Sequence, residues 1–526
     1  MDFTQKGKVT SGNHSSYWLD SSMPLSYSTL TNNISTEVVV VGGGITGVSI
    51  AYNLCRSGKK VVLVEDGNIG SGETGRTTAH LASALDDRFY KLEHLYGEKK
   101  TKKIADSHKA AIDFIERTCH LEKIDCDFQR VFGYLFLHPS DEHNSLEKEL
   151  KAAHRAGMEV EEIPYVPGTN EQIPCLRFSG QAQFHPLKYL KGLCASIEKM
   201  GGQIYTSTHA EKIDSEGIVT KSGYTVKAKH IVVATNSPVN GKYFIHLKQY
   251  PYRTYVIGAK IKKGALAKSL WWDTGDYSIN KEIPPYHFIR LVDYNEKYDV
   301  LICGGEDHPT GIAEEKKINE EDRYALLEFW ARKRFPIEDI IYMWSGQVLE
   351  PMDSLAFIGR DPADKNNIYI ATGDSGHGMT HGTIAGILIS DLINEKENEW
   401  EKLYDPSRFK IFSAGKTFFK ELTGVTLGYF KNKATDSKPV EIATIKVNEG
   451  HIIEVEGEKF AAYRDEDGIL HILQAECMHR GCIVKWNNDE KTWDCPCHGS
   501  RYTHEGKVIN GPSNKDLPYY SKNKQK

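Results

Sequence analysis

The chain of 526 residues is long enough for two to four domains at roughly 100–200 residues each. Its composition, with 40% hydrophobic and 26% charged residues, excludes a collagen-like or fully disordered chain, and a formal net charge of −5 gives no basic excess for binding nucleic acid. No run of about 18 apolar residues occurs, so we expect no membrane span. Because residues 1–20 lack the apolar segment of a secretory signal, we expect a cytoplasmic location.

The first clear pattern along the chain is a strand–turn–helix–strand unit. Residues 1–35, rich in Ser, Thr and Asn, predict an irregular N-terminal arm. The β-branched run Val38–Val41 then predicts a buried parallel strand, which a glycine turn connects to a helix ending near Arg56. A second strand is predicted from Lys60 to Val64. This arrangement is typical of the first half of a nucleotide-binding sheet.

The glycine turn carries the pattern Gly42-x-Gly44-x-x-Gly47, and Glu65 follows Gly47 by 18 residues. In this context the glycines allow a tight turn and close approach of a pyrophosphate, whose charge the helix N-terminus stabilises. Glu65 can accept hydrogen bonds from ribose hydroxyls, which argues against a 2′-phosphate. The candidate cofactor contacts of this unit are Gly42, Gly44, Ile45, Thr46, Gly47, Glu65 and Asp66. The pattern by itself leaves FAD and NAD open.

The later elements alternate between helices and strands. The sequence predicts helical structure over 91–157, a helix over 187–200, strands at 203–206 and 231–234, strand-like segments over 253–303, a helix over 318–334, and a strand at 368–371 before a helix ending near 393. The lysine-rich run 99–103 predicts a solvated helix face. After a polar linker at 431–439, short alternating segments at 440–447, 451–456, 459–464 and 469–474 predict a small antiparallel β domain.

Four stretches make the sequence resemble the D-amino-acid oxidase-like family of FAD-dependent oxidoreductases, which includes glycine, sarcosine and γ-glutamylputrescine oxidase-like enzymes. They are the Gly42–Gly47 pattern, the small-residue loop Gly70–Ala79, the strand Ile231–Asn236 and the glycine-rich turn Gly373–Thr380. The resemblance covers about residues 15–420. It implies FAD as cofactor, an α/β Rossmann-like FAD-binding domain and an α+β substrate domain with an antiparallel sheet. It adds the candidate contacts Gly75, Arg76, Thr77, Thr78, Ala79, Ala234, Thr235, Asn236, Gly373, Gly376, His377, Gly378, Met379 and Thr380.

The expected substrate contacts depart from the family pattern. The stretch Trp344–Pro351 resembles a family motif that often carries Arg before Pro, suited to a substrate carboxylate, but Glu350 stands there instead. An acidic group favours an ammonium or polyamine-like substrate, and a salt bridge between domains is the alternative. Arg253 and Arg290, each beside tyrosines, are alternative substrate contacts or structural residues. The candidate catalytic residues are Arg253, Tyr255, Arg290 and Glu350.

Three histidines near the predicted flavin segments need an interpretation. Some relatives attach FAD covalently through a histidine, but the spacing around His80 does not match that type, so we expect non-covalent FAD. His377 and His381 lie four residues apart, as metal ligands on a helix would. No acidic third ligand accompanies them at an obvious spacing, which favours flavin contact or helix packing.

The ten cysteines are unevenly placed, because four of them fall in the last 50 residues. There Cys477-x-His479 precedes Cys495-x-x-His498 with a gap of 15 residues. This pattern resembles the Rieske 2Fe–2S domain. The resemblance implies one cluster, in which Cys477 and Cys495 hold one iron and His479 and His498 hold the other. A Cys2His2 zinc site is the alternative.

Four further residues relate this region to the Rieske proteins of cytochrome bc complexes. Cys482 and Cys497 occupy the positions that are disulfide-bonded in those proteins. Ser500 and Tyr502 match positions whose hydroxyls donate hydrogen bonds to the cluster sulfurs, which raises the reduction potential. The resemblance therefore implies a cluster in the upper part of the Rieske range of potentials. The other six cysteines are expected to be ordinary thiols.

Together the two resemblances imply an FAD-dependent oxidoreductase that oxidises a small amine or amino acid by hydride transfer. Electrons would then pass one at a time through the Rieske cluster to an external acceptor. The alternatives are a flavin dehydrogenase acting on a C–O bond, of the 2-hydroxy acid or glycerol-phosphate type, and an electron-transfer adaptor without an organic substrate. No mononuclear-iron signature is evident, which argues against a Rieske oxygenase.

The expected domain boundaries follow from these motifs. They are an arm at 1–35, an oxidoreductase at 36–430 whose substrate part lies mainly at about 85–185 and 245–350, a linker at 431–439, and a small all-β Rieske domain at 440–526.

Overall fold

The protein was analysed as a computed structural model, which describes residues 14–141, 144–240, 245–279, 284–311, 320–408 and 440–520. The predicted linker at 431–439 lies outside these residues, as do positions 1–13 of the predicted arm and the last six residues of the chain.

The described helices and strands are named here in chain order. The helices are α1 (Tyr17–Asp20), α2 (Ile45–Arg56), α3 (Phe89–Tyr96), α4 (Glu98–Glu122), α5 (Ser145–Arg155), α6 (Pro186–Lys199), α7 (Glu320–Arg334), α8 (Gly378–Ile393) and α9 (Glu401–Tyr404). The strands up to the middle of the chain are β1 (Ile34–Val41), β2 (Val61–Val64), β3 (His80–Leu81), β4 (Gln129–Phe136), β5 (Val160–Ile163), β6 (Cys175–Gln183), β7 (Gln203–Tyr205), β8 (Ala210–Asp214), β9 (Gly217–Thr220), β10 (Thr225–Val233), β11 (Gln249–Lys262) and β12 (Leu270–Asp273). The later strands are β13 (Phe288–Asp293), β14 (Tyr298–Pro309), β15 (Ile340–Pro351), β16 (Phe357–Asp361), β17 (Asp364–Thr372), β18 (Gly450–Val455), β19 (Glu458–Arg464), β20 (Leu470–Gln474), β21 (Lys485–Asn487), β22 (Thr492–Asp494), β23 (Arg501–Thr503) and β24 (Val508–Asn510).

The first sheet is mostly parallel and has the order β16-β17-β10-β1-β2-β7, with β9 and β8 extending from β10. Val38–Val41 of β1 pair in parallel with β2 on one side and β10 on the other, and all four valines are buried. Helices α2, α8, α6 and α4 pack together on this part of the molecule. Because both faces of β1 are covered, a run of β-branched residues suits this central position.

The second sheet is mostly antiparallel and runs β15-β11-β14-β13-β12-β4-β6-β3, with β5 on β6. Its long strand β11 pairs with β14 on one side and with the edge strand β15 on the other, along most of its length. Side chains alternate between the two faces of such strands. One face therefore looks towards the first sheet, while the other packs under α7 and its own apolar cluster.

The C-terminal unit from 440 onwards contains two small antiparallel sheets, β18-β19-β20 and β21-β22-β23-β24. Its core combines Trp493 and Tyr502 with buried cysteines. The loops before β21 and after β22 carry the cysteine and histidine pairs. The predicted small antiparallel β domain is therefore present, built as two sheets.

Several element predictions need correction. The segment 91–157 is not helical throughout, because β4 interrupts it and pairs with β6 and β12. The segment 440–447 is not a strand and contains only a short 3₁₀ turn at Ile442–Thr444. The N-terminal arm is not wholly irregular, since α1 buries Tyr17 and Trp18.

Within the described residues, no helix is both long enough and apolar enough to cross a membrane.

Candidate functional site

A cavity lies between the carboxyl ends of the first sheet and the facing side of the second sheet. Its wall includes the following predicted cofactor contacts: Gly42, Gly44, Ile45, Thr46, Glu65, Asp66, Arg76, Thr77, Thr78, Ala234, Thr235, Asn236, Gly376, His377, Gly378 and Met379. Segments that are far apart in sequence therefore meet in one place. The carboxyl ends of parallel strands are where open α/β sheets bind ligands.

The glycine turn after β1 fits a dinucleotide because side chains would fill the space. A Cβ on Gly42 would lie 2.3 Å from the Ala234 oxygen, and Gly42 has a φ of +110°. A Cβ on Gly47 would lie 1.9 Å from the Gly42 oxygen, so α2 could not approach the turn. The N-cap residue of α2 is Gly44, which has no side chain to cap the helix, and Ile45 N donates to Thr74 Oγ1 at 3.0 Å. The start of this helix lies at the cavity wall, where its N-terminal end favours a phosphate. The residues present therefore fit the pyrophosphate of FAD.

Glu65 is held in place by backbone donors. Its carboxylate accepts hydrogen bonds from Gly43 N at 2.6 Å and from Gly67 N at 2.8 Å. These bonds fix the side chain at the cavity wall beside Asp66. A carboxylate fixed in this position can accept hydrogen bonds from ribose hydroxyls.

Five of the predicted cofactor contacts do not line the cavity: Gly47, Gly75, Ala79, Gly373 and Thr380. These residues lie next to the residues that line the cavity and support them through packing and hydrogen bonds. Gly47 and Gly75 allow backbone segments to pack closely. The Ala79 carbonyl accepts a hydrogen bond from Arg290, and Thr380 Oγ1 lies 2.9 Å from His108 Nδ1.

Arg290 supports the loop Gly70–Ala79 and does not reach the cavity. Its guanidinium donates to the carbonyl oxygens of Ala79, Thr78 and Phe184. Trp18 covers its other side. Burial lowers the pKa of Arg290 to about 9. Its contacts assign it a positioning role for the loop, and it is not a substrate contact in this structure.

Arg253 and Tyr255 also lie away from the cavity. Their neighbours Thr254 and Val256 line it, so the alternation along β11 turns Arg253 and Tyr255 to the opposite face. Arg253 donates to Ser345 Oγ at 3.0 Å and lies 3.6 Å from Asp494 of the C-terminal unit. Tyr255 bonds to His308. The register of β11 thus places both residues away from this cavity, and a role for them in substrate contact stays a prediction.

Glu350 does line the cavity, and other carboxyl groups accompany it. Asp307 and Asp374 share the same wall. Burial raises the pKa of Asp307 to about 7 and that of Asp374 to about 6. Burial, together with the charge of Asp87, raises the pKa of Glu350 well above its usual range. The cavity therefore has an acidic end.

The hydroxyl group of Ser375 lies between two carboxyl groups, those of Glu350 and Asp87. Ser375 Oγ lies 2.9 Å from Glu350 Oε2 and 3.0 Å from Asp87 Oδ2. A serine hydroxyl has a single proton and can donate to only one of them. The serine oxygen can accept from the other carboxyl when that group is protonated, and burial raises the pKa of both Glu350 and Asp87.

A second polar group at this end consists of Asp86, Tyr286 and His377. Tyr286 Oη donates to Asp86 at 2.5 Å, and His377 Nε2 lies 3.2 Å from the same carboxyl group. Although burial opposes ionisation, His377 lowers the pKa of Asp86 and Asp86 raises that of His377. Nε2 of His377 also accepts a hydrogen bond from Asp86 N at 3.0 Å, so the two residues are linked through both the backbone and the side chain of Asp86.

Of the histidines near the predicted flavin segments, His80 lines the cavity and His381 packs against another ring. His80 lines the cavity, and its two ring nitrogens lie 3.0 Å from Thr78 Oγ1 and 3.1 Å from the Ile289 oxygen. Burial lowers its pKa to about 3. His381 packs edge-on against His108, at 4.6 Å between ring centroids. The sequence patterns gave no sign of His108.

The four expected cluster ligands come together in the C-terminal unit. The rings of His479 and His498 lie 5.0 Å apart. Nε2 of His479 and both ring nitrogens of His498 are buried without a hydrogen-bond partner among the described residues. A hydrogen bond from Cys495 lowers the pKa of Cys477 to about 6, with Tyr502 adding to the effect. Orphaned imidazole nitrogens beside paired thiols are the donor set that a Rieske cluster requires.

The neighbouring residues match the expected surroundings of the cluster. Tyr502 Oη lies 3.2 Å from Cys477 Sγ, and Ser500 Oγ accepts from Ser513 N. A disulfide joins Cys482 and Cys497. The sulfurs of Cys482, Cys495 and Cys497 lie within 4.8 Å of one another, but the disulfide leaves only Cys495 as a thiolate donor. The other six cysteines are free and buried.

The cavity wall and the predicted cluster site are in direct contact. Gln347 lines the cavity and donates through Nε2 to the Gly499 carbonyl at 3.0 Å. Gly499 follows His498 in the chain. On another side, the ring of His246 lies 5.1 Å from that of His479. Sequence patterns could not reveal these contacts, because they depend on how the C-terminal unit packs.

Comparisons with known proteins identify the two domains that carry these candidate sites. A family model described as FAD dependent oxidoreductase matches residues 37–392, and a Rieske [2Fe-2S] domain model matches residues 439–521. A protein of Bacillus subtilis (strain 168), YhfW, whose name describes a Rieske 2Fe-2S iron-sulfur protein, is 32% identical over 505 residues, covering 95% of this chain and 96% of its own length. Gamma-glutamylputrescine oxidoreductase of Escherichia coli (strain K12) is 26% identical over 418 residues, covering 77% and 94%.

The fold has relatives among solved structures. Glycine oxidase from Geobacillus kaustophilus superposes with a TM-score of 0.59 at 17% identity, covering 72% of this chain and all of that one. This likeness concerns the fold alone.

Proposed function

The chain belongs to the FAD dependent oxidoreductase family and carries a Rieske [2Fe-2S] domain, and from this we propose that it oxidises a small cationic amine and delivers the electrons singly to an external acceptor. The predicted fold class and both cofactors are confirmed. When bound, FAD accepts two electrons and a hydrogen from a C–H bond, and the cluster carries one electron at a time.

The charge of the cavity supports a cationic substrate. Among the lining residues that the structure describes, Arg76 is the only arginine and there is no lysine. The Arg76 guanidinium bonds to Glu490 and to the Ser345 carbonyl. Glu350, Asp307 and Asp374 lie close to one another on the cavity wall, and an ammonium group would be stabilised by those that are ionised. Gamma-glutamylputrescine oxidoreductase is a relative whose name includes an amine.

The same carboxyl groups can manage the substrate proton. An amine is oxidised through the lone pair on nitrogen, so an ammonium that binds must first lose a proton. A general base works best when its pKa lies near the working pH. Asp307, with a pKa of about 7, meets this condition. Glu350, held protonated or sharing a proton through Ser375, can return one to the product.

The observation that carries the proposal is the contact made by Gln347. Its side chain lines the cavity and bonds to Gly499, next to the predicted ligand His498. This single residue joins the place where a substrate is oxidised to the place where the cluster is held. Such closeness supports electron transfer within one chain, at a high effective concentration.

Anaerobic mixing of the full-length protein with a diamine, a monoamine and an amino acid tests the proposal. Flavin absorbance and the cluster's electron paramagnetic resonance signal are followed together. We expect the diamine to react fastest, with flavin bleaching followed by cluster reduction. Bleaching while the cluster stays oxidised would contradict the internal transfer. Reduction by a 2-hydroxy acid alone would favour C–O oxidation, and no reduction by any compound would favour the adaptor.

Replacement of Glu350 tests the acidic end separately. Glu350→Gln keeps the shape but removes the carboxyl group that can hold and return a proton, and we expect kcat/KM for the diamine to fall about tenfold to a hundredfold. Flavin content should not change. Glu147→Gln, at an exposed position of α5, is the matched control. Equal kinetics in the two variants would contradict a role for Glu350 in substrate binding.

Other expectations remain predictions: the domain boundaries, the individual cofactor and cluster contacts, non-covalent FAD, the external acceptor and the cytoplasmic location. The boundary between the oxidoreductase and Rieske parts is compatible with matches ending at 392 and beginning at 439.

A further inference from the structure

We propose that the segment Val508–Asn514 of the Rieske domain forms part of the FAD site, closing it at the end next to Glu65. The Rieske domain would thus bind the adenosine diphosphate half of FAD as well as an iron–sulfur cluster. This goes beyond the proposed amine oxidation and does not depend on the identity of the substrate.

The first observation is the composition of the cavity wall. Val508, Ile509, Asn510, Gly511, Ser513 and Asn514 line the same cavity as the glycine turn after β1. They are the residues of the C-terminal domain that reach this wall within the described structure. A wall made of a strand end and a polar loop offers both apolar contact and hydrogen-bond donors to a nucleotide.

The second observation is a set of hydrogen bonds that fix the segment beside Glu65. His209 Nε2 lies 2.9 Å from the Asn514 carbonyl, while His209 Nδ1 lies 3.3 Å from Asp66 Oδ2. Asn514 Nδ2 donates to the Glu211 carbonyl at 2.7 Å. Because Asp66 follows Glu65, the loop is held at the ribose-binding end of the predicted site.

A third contact fixes the other end of the segment. Asn510 Nδ2 donates to Glu73 Oε1 at 3.0 Å, and Glu73 Oε2 accepts from Gln347 N at 2.7 Å. Glu73 belongs to the small-residue loop Gly70–Ala79. The segment is therefore tied to two different parts of the cofactor cradle.

Close packing at Gly511 holds the segment against the residues that follow β10. A Cβ on Gly511 would lie 2.9 Å from Val239 Cγ1 and 3.0 Å from the Ser237 carbonyl. Ser237 directly follows Asn236, one of the predicted flavin-domain contacts. Only a glycine lets the segment lie this near the end of β10.

The release of FAD from the purified holoprotein tests the inference. In the double variant Asn510→Ala/Asn514→Ala the segment loses both side-chain anchors, and we expect FAD to dissociate roughly tenfold faster. Released flavin is measured by its fluorescence after dilution. Glu505→Gln, at an exposed position of the same domain, is the matched control. Equal release rates in the double variant and the control would overturn the inference.

A competition experiment locates the effect. Full-length protein stripped of FAD is titrated with FAD in the presence of ADP or riboflavin 5′-phosphate. We expect the double variant to bind ADP more weakly by about the same factor as FAD, with riboflavin 5′-phosphate unaffected. Weakening of riboflavin 5′-phosphate alone would overturn the placement beside Glu65.

A further readout separates this effect from misfolding. The cluster's electron paramagnetic resonance spectrum should be unchanged in the double variant, because Asn510 and Asn514 do not contact the expected ligands. Hydrogen exchange of 508–514 in the FAD-free native chain should slow when ADP is added. Exchange that ADP leaves unchanged would contradict the inference, whatever substrate the enzyme proves to oxidise.

Discussion

The two ends of the cavity are built in different ways. The cradle around Glu65 consists of short contiguous segments, and its key contacts come from backbone groups such as Gly43 N and Gly67 N. The acidic end consists of side chains such as Asp86, Asp307 and Glu350, which lie far apart in sequence. The difference shows that most of the predicted cofactor contacts come from local motifs, whereas the proposed substrate contacts depend on strand register.

The largest expected effect concerns the cradle. Gly47→Val places a branched side chain where a Cβ alone would lie 1.9 Å from the Gly42 oxygen. The turn and α2 cannot both keep their positions, so we expect FAD affinity to fall at least a hundredfold, as measured by flavin content and titration. Gly58→Asn is the control, because nothing lies within 4 Å of a Cβ there and Asn tolerates positive φ. Retention of FAD by Gly47→Val would contradict the conclusion that the FAD cradle depends on close backbone packing at the glycine turn.

An intermediate effect concerns the pH dependence of the acidic end. Because burial raises the pKa of Asp307 to about 7, its carboxyl is neutral at pH 6 and ionised at pH 8. A cationic amine binds the ionised form better, so we expect KM to fall about tenfold as the pH rises through 7. Steady-state kinetics between pH 5.5 and 8.5 measure this. In Asp307→Asn the fall should disappear, and a profile identical to wild type would contradict the assignment.

The smallest expected effect compares adjacent positions on β11. Thr254 lines the cavity beside Asp307, whereas Tyr255 faces the opposite side. We expect Thr254→Val to change KM for the amine about threefold to fivefold, and Tyr255→Phe to leave it unchanged. The two KM values, measured at one pH, provide the comparison. The reverse result would mean that the register of β11 differs from the one described.

The parts of the fold that were predicted correctly are those whose signal is local. The valine run of β1 is buried on both faces, and glycines follow it where a Cβ would clash. The cysteine and histidine spacing likewise lies within two short loops. In contrast, β4 is flanked by charged helices and was missed, because its partners β6 and β12 lie farther along the chain.

Substrate contacts were harder to predict for a related reason. Arg253 has the chemistry to bind a carboxylate, but the two-residue period of its strand turns it towards Asp494. Glu350 lies in the cavity, although its sequence position alone allowed a salt bridge between domains. Contacts such as Gln347 to Gly499 depend on the packing of two domains, for which a single sequence carries no pattern.

The place of Val508–Asn514 in the cavity wall also has a consequence for the order of events during synthesis. The segment begins 128 residues after Thr380, which ends the glycine-rich turn of the predicted flavin site. At about 5–20 residues per second, a ribosome needs roughly 6 to 26 seconds to make that stretch. If the segment binds FAD as proposed, the nascent flavin-binding domain would lack part of the wall of its site until the Rieske domain has been synthesised and has packed against it. Tight binding of FAD would then begin only when the Rieske domain has been synthesised. An incomplete chain would therefore seldom carry FAD without the cluster that accepts its electrons.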